Sequence, residues 1–435
     1  MLKRKISKQL NSWKNNKNKK CLIVQGARQT GKTFIIEHFA TENYDDVIEI
    51  NFKETPSSVD IFSGDLTVDN MIMAMRFRFP DKKITPKKTL IFLDEIQECP
   101  EAITSLKFWT IDNRYDVIAS GSLLGIDYKR ASSYPVGYVD YITMHGLDFE
   151  EFLWAMGITD DMIQSLRNYL NNREIIPSAI NSRMMELYRK HIAIGGMPEA
   201  VQKYIDTDDF REVDRVQRNI LMGYQYDIAH YATAEEKIKA EKCYLTLAKQ
   251  LLDKENHKFQ YKEIEHGARA QKYYSSIEWL LRADMIHICK LVTSITFDLE
   301  DYSREDFFRS YTTDLSLLIA MKDLSLKQHI VENTISGNTK GGIFECAVAD
   351  ALYKNGHSLY FYKNDSNKKE LDFIIQVNGQ VVPVEVKSSN NRANLLNSVI
   401  KNNKGITYCY KFVDGNIGVN DEGIITLPLY MASFV

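Results

Sequence analysis

The sequence predicts an α/β chain that opens on a parallel sheet flanked by helices and continues through helical segments into a second, smaller α/β unit. Three observations carry this expectation. A short apolar run at 21–24 leads into Gly-Ala-Arg-Gln-Thr-Gly-Lys-Thr at 26–33 and then into a helical stretch. A wholly apolar run, Leu90-Ile91-Phe92-Leu93, ends in Asp94 and Glu95. Strand-like and helix-like stretches alternate from 20 to 144, which is the pattern of a parallel sheet covered on both faces.

The first of these is a phosphate-binding loop in its proper strand–loop–helix setting. Gly26 and Gly31 let the backbone bend so that N–H groups face an anion, and Ala27, Arg28, Gln29 and Thr30 supply the rest of the cradle. The helix that follows offers its unpaired N–H groups and positive dipole end to the same anion. Lys32 is placed to reach the β- and γ-phosphates, and Thr33 to hold Mg²⁺ through its hydroxyl. Four apolar residues before Asp94 suit a strand buried on both faces, and its C-terminal end is where such sheets keep their ligands. Asp94 is expected to organise Mg²⁺, and Glu95 to polarise an attacking water.

The other elements follow in order. Residues 47–51 read as a strand, 71–79 and 102–109 as helices, 116–119 as a buried strand, and 139–144 as a last strand. Ser120 or Ser122, ending the strand beside the acid-bearing one, is expected to sense the γ-phosphate. From 147 to 231 the spacing turns helical, interrupted at Gly195-Gly196-Met197-Pro198, which reads as a helix junction. Between 242 and 291, helices near 243–252, 261–264 and 274–282 precede a short apolar strand. This is the order of a winged helix-turn-helix, in which Arg269, Lys272, Tyr273 and Tyr274 could face a phosphate backbone.

Composition excludes several classes. The 435 residues are 44% hydrophobic and 26% charged, with a formal net charge of −3, so nothing in the overall charge favours nucleic acid or an anionic membrane. The local exception is the run of lysines and arginine within the first twenty residues. It reads as a solvated basic helix burying Ile6, Leu10 and Trp13, with nucleic-acid or partner contact as the alternative. Six scattered cysteines make no Cys-x-x-Cys pair and read as small core residues in a reducing compartment. No signal-like or membrane-spanning apolar run is found, which leads to the expectation of a cytoplasmic protein without a membrane partner.

A second constellation lies near the C-terminus. Glu345 sits on a predicted helix, Asp372 on a strand at 371–375, and Glu385 and Lys387 on one face of a strand at 381–386. Three carboxylates converging as hard oxygen ligands would hold Mg²⁺, with Lys387 orienting a water and not acting as a ligand. That is the pattern of a metal-dependent nuclease. The other reading is a solvent-facing Glu385–Lys387 ion pair.

The chain resembles the bacterial and archaeal ATPases that join an AAA-type domain to a C-terminal domain of unknown function. The resemblance rests on the motifs at 26–33 and 93–100, on Ala119-Ser120-Gly121-Ser122-Leu123-Leu124-Gly125, on Pro135-Val136-Gly137, and on Asp148-Phe149-Glu150-Glu151-Phe152-Leu153. It continues in Gly195-Gly196-Met197-Pro198-Glu199-Ala200 and Glu370-Leu371-Asp372-Phe373. Its C-terminal part resembles the PD-(D/E)xK nuclease superfamily, with Asp372, Glu385 and Lys387 at the signature positions. The resemblance implies an AAA-type P-loop ATPase core at 1–146, a helical lid at 147–235, a winged-helix segment at 236–300 and a nuclease-like α/β domain at 301–435. It also implies ATP and Mg²⁺ as cofactors. Tyr138 follows Gly137 where many relatives carry a basic residue, which leaves Arg28 and Arg130 as candidates for an arginine finger. The expected function is ATP hydrolysis that controls the C-terminal domains. The alternatives are an ATP-regulated nuclease acting on DNA and a non-catalytic switch that docks a protein partner, with self-association open in each case.

Overall fold

The structure is a computed structural model describing residues 1–122, 135–231, 234–252, 259–364, 369–388, 394–403, 405–420 and 422–435. It divides into two compact units: residues 4–146 with 282–284, and residues 1–3, 147–281 and 285–435.

The first unit is built on a five-stranded sheet in the order β2-β3-β4-β1-β5. The strands are β1 (Cys21–Gln25), β2 (Asp46–Asn51), β3 (Thr89–Asp94), β4 (Asp116–Gly121) and β5 (Val139–Thr143), and every pairing is parallel. Continuous apolar runs are needed because both faces are covered. Leu22 and Val24 join one core with Ile35, Ile36 and Phe39 of α2 (Lys32–Asn43). Cys21 and Ile23 join the opposite core with Met71 and Ile72 of α3 (Val68–Arg78) and Leu106 and Trp109 of α4 (Pro100–Asp112). The basic N-terminal stretch is the amphipathic helix α1 (Ile6–Asn15), and the residues it buries are Ile6, Leu10 and Trp13. Each such side chain contributes about 1.5–3 kcal/mol, so this helix is held by its apolar stripe, while Lys8 is exposed and Lys14 is half-buried against Asn43. All six cysteines are free and buried, as small core residues.

The second unit opens with helices α5 (Phe149–Ala155), α6 (Asp160–Asn172), α7 (Ser178–Ile194), α8 (Pro198–Thr207) and α9 (Phe210–Tyr231). The Gly195–Gly196 pair is the junction expected: it ends α7, and α8 starts at Pro198. Gly195 has φ 80°, and a Cβ there would lie 2.0 Å from Ser316 Oγ, so the turn admits no side chain.

The segment expected to form a winged helix holds α10 (Ala234–Leu251), a 3₁₀ turn at Tyr261–Glu263, α11 (Ala270–Arg282), β6 (Ile286–Val292) and β7 (Ser303–Thr312). Its wing, however, does not stand apart. β6 pairs parallel with β8 (Tyr360–Asn364), so the hairpin becomes one edge of an eight-stranded mixed sheet that also holds β9 (Lys369–Val377), β10 (Gln380–Lys387), β11 (Cys409–Val413), β12 (Gly418–Val419) and β13 (Ile424–Pro428), in the order β12-β13-β11-β10-β9-β8-β6-β7. Unpaired strand edges are unfavourable when buried, and this pairing fuses the segment to the C-terminal fold. Two of the residues expected to face DNA are engaged inside the unit: Tyr273 is buried against Tyr261, and Lys272 is bonded to Glu265.

The middle of the sheet holds β9 (Lys369–Val377) and β10 (Gln380–Lys387), an antiparallel hairpin. Asn378 and Gly379 both take positive φ (49° and 76°), the geometry of the tight two-residue turns that match strand twist. Helix α12 (Gly337–Lys354) carries Glu345 on a buried face.

Candidate functional site

The loop at 26–33 joins β1 to α2, between the C-terminal ends of β4 and β5. Gly26 has φ 143°, and a Cβ there would fall 2.1 Å from Met144 O, just past β5. Gly31 turns the chain into α2 at φ 89°. Gln29 also lies in the left-handed region, at φ 65°. Thr30 Oγ1 donates to Ala27 O at 3.0 Å and closes the loop on itself. Arg28 is half-buried at the loop's flank.

Lys32 is buried and donates from Nζ to Gly26 O (2.9 Å) and Ala27 O (2.8 Å). Burial pulls its pKa down to about 8, against the opposing pull of Glu95, Asp284 and Asp94. A lysine in this state gains when an anion enters the loop.

Asp94 ends β3 and is 3% exposed. Its Oδ2 accepts from Thr33 Oγ1 at 3.0 Å and from Asn51 Nδ2 at 3.1 Å, and its Oδ1 accepts from Ser120 Oγ. The loop hydroxyl and the strand carboxylate therefore meet. Ser120 is turned onto Asp94 and fixes its orientation. Glu95 follows in the left-handed conformation (φ 51°), a strained state for a non-glycine residue that concentrates at functional sites. Gln97 donates to its Oε2.

Three participants escaped the sequence reading. Asn51 ends β2 in register with Asp94, and only the sheet order makes them neighbours. Arg4 donates to Thr30 O at 3.0 Å and to His145 O at 2.6 Å, tying the loop to the chain after β5. Asp284 accepts from Ala27 N–H at 2.9 Å across a long separation in sequence. Glu49, on β2 two residues before Asn51, has its pKa raised to about 7 by burial and by the nearby charges of Glu37 and Asp94. Arg130 lies outside the described residues.

The second constellation is also brought together. Lys387 Nζ lies 2.7 Å from Glu385 Oε1; burial lowers its pKa, but Asp372, Glu385 and Glu345 outweigh burial and hold it up. A cation that sequence reasoning missed sits among these acids. Arg309 on β7 is 1% exposed and donates to Glu345 Oε1 (3.2 Å), Asp372 O (3.0 Å) and Glu370 Oε2 (3.1 Å). Tyr311 donates to Glu345 Oε1 at 2.9 Å, and Asp372 Oδ2 accepts the Val386 N–H at 2.7 Å. Among the described residues no group of three or more acids, histidines or cysteines is arranged to hold a metal ion. Glu345 Oε1, Glu385 Oε1 and Asp372 Oδ2 each face an internal donor, while Glu385 Oε2 is buried without a hydrogen-bond partner among the described residues.

Residues 18–153 match a family model described as an AAA domain. The first unit has the fold of an AAA-type P-loop ATPase. Residues 185–328 and 340–430 match two models described only as domains of unknown function, DUF8612 and DUF4143. No curated protein matches the chain. Its similarities to solved structures are distant. PCH-2 of C. elegans shares 12% identity over 47% of this chain and 62% of its own, with a TM-score of 0.28. The Aeropyrum pernix ORC1 protein, solved in complex with DNA, shares 12% identity over 76% of this chain and 93% of its own, at a TM-score of 0.26. AMPPCP-bound DnaA from Aquifex aeolicus shares 14% identity over 63% and 86%, at 0.27. This chain thus spans less than two thirds of the PCH-2 chain. No helix among the described residues is long and apolar enough to cross a membrane.

Proposed function

We propose that the protein binds ATP with Mg²⁺ at residues 26–33, hydrolyses it, and uses nucleotide state to control its C-terminal unit. The observation that carries this reading is the junction of loop and strand, with Thr33 Oγ1 3.0 Å from Asp94 Oδ2 and Lys32 buried beside them. The backbone N–H groups of Gly31, Lys32 and Thr33 bind the phosphates, and Lys32 turns its ammonium from the Gly26 and Ala27 carbonyls to the phosphate oxygens. Thr33 and Asp94 would hold Mg²⁺, which when bound supplies charge neutralisation at the phosphates. Ser120 and Asn51 fix the Asp94 carboxylate. Glu95 accepts a hydrogen bond from the attacking water and orients it.

Purified protein is assayed for ATP binding and turnover, with and without double-stranded and single-stranded DNA. Lys32→Ala is expected to lose both binding and turnover, and retention of both refutes the assignment. Glu95→Gln is expected to bind ATP and turn it over more slowly by about 10²–10⁴-fold. Turnover stimulated by DNA favours a nucleic-acid-coupled enzyme. Turnover indifferent to DNA favours a switch that docks a protein partner or a second copy of the chain.

A second reading, an ATP-regulated nuclease acting on DNA, draws support from the convergence of Glu345, Asp372, Glu385 and Lys387. The internal pairing of those acids weighs against it, and we derive no cleavage step from them. Calorimetry of the full chain with Mg²⁺ or Mn²⁺ beside Glu385→Ala tests it: a heat of binding lost in the variant supports the nuclease, and its absence favours the switch.

A further inference from the structure

The AAA-type unit contains an anion of its own at the phosphate loop. Asp284 Oδ2 accepts the Ala27 N–H at 2.9 Å. The three residues 282–284 belong to this unit although the chain on either side does not. They are seated, since Ala283 is 2% exposed. Asp284 has φ 53°, a left-handed conformation that L-residues seldom adopt and that persists only where surroundings impose it. Lys32 is folded inward on Gly26 O and Ala27 O, within the field of the Asp284 carboxylate.

A fixed carboxylate on the Ala27 N–H and phosphate groups on the N–H groups of residues 31–33 are like charges held by one short loop. Like charges a few ångströms apart at a partly buried site repel each other far more than they would in bulk water. We propose that Asp284 is a built-in competitor of nucleotide: its carboxylate holds the loop when nucleotide is absent and is expelled when ATP enters. The proposal rests on the reading of residues 26–33 as the ATP site. It gives that site a regulation, because Asp284 lies between the last residue of α11 and the first of β6, Arg282 and Ile286. Displacing it pulls on both elements through the covalent chain. By linkage, whatever draws Asp284 off the loop tightens ATP, and ATP loosens the 282–284 segment by the same factor.

The test uses the full chain and a fluorescent ATP analogue titrated with Mg²⁺ present. Asp284→Asn keeps size and an acceptor oxygen while removing the charge, so the fold is retained. It is expected to bind the analogue about tenfold or more tightly than wild type, the fraction of competent loop rising as the competitor is lost. Lys32→Ala is the control without binding. Wild-type and Asp284→Asn proteins of equal affinity, or a weaker variant, overturn the proposal while leaving the ATP site intact. If neither protein binds although both are folded by circular dichroism, the ATP reading itself fails and the proposal falls with it.

Discussion

Replacing Gly26 with alanine tests whether the phosphate loop depends on its close approach to the chain after β5. The added Cβ would sit 2.1 Å from Met144 O, about 1 Å inside the 3.0 Å limit that real Cβ contacts respect. Neither side can yield freely. The Met144 N–H donates to Gln25 O at 2.8 Å, so the carbonyl is fixed on the strand beside the loop it would have to leave. The backbone is also unsuited, because φ 143° is a glycine conformation. Backbone strain of this kind costs about 1–3 kcal/mol, and forcing atoms into a packed site costs about 1–3 kcal/mol more. A loss of about 2–6 kcal/mol is a large share of the 5–15 kcal/mol, roughly, by which folded proteins are stable. At about 2–4 °C per kcal/mol for a unit of this size, the melting transition falls by about 4–24 °C. Thermal melts by circular dichroism, paired with nucleotide titration, read both consequences. A variant that melts with wild type and binds nucleotide undiminished refutes the close-approach argument.

Two further predictions concern the second unit. His191 is buried, with Nε2 3.3 Å from Leu147 O; burial, and then the Lys354 ammonium, pull its pKa down to about 4. A group whose folded pKa lies below its unfolded value of about 6.5 contributes stability above that value and loses it as pH falls towards 4. Asp350 is pushed up to about 6 by burial and titrates in the opposite sense over the same window. The two largely cancel in wild type. In His191→Gln the difference from wild type in unfolding free energy is therefore expected to grow in the variant's favour by about 2–3 kcal/mol between pH 6.5 and 4.5; denaturant melts at the two pH values measure it, and a constant difference refutes it. Arg309→Met leaves Glu345 and Glu370 without their buried counter-ion and is expected to cost about 3–5 kcal/mol. Adding Glu345→Gln should recover part of that loss in denaturant melts, and a double variant no more stable than the single one refutes the pairing.

Much of the AAA-type unit was legible in the sequence because its signals are local. A glycine-bounded loop after an apolar strand, an all-apolar run ending in two acids, and the stripe of Ile6, Leu10 and Trp13 each encode their own structure within a few residues. The hairpin at 378–379 and the junction at 195–198 are local in the same way. What the sequence could not disclose was decided by strand order and by distant returns of the chain. Asn51 reaches Asp94 because β2 and β3 are neighbours. The β6–β7 hairpin is part of the C-terminal sheet because β6 finds β8. Arg309 enters the carboxylate cluster from β7, and no spacing in the sequence announces it. Asp284 reaches Ala27 from beyond the unit's own segment. Local backbone preference and apolar periodicity thus set which elements form and where the loop at 26–33 lies. Tertiary pairing alone set which charges meet, because a buried charge takes its partner from whatever strand or turn the fold brings beside it.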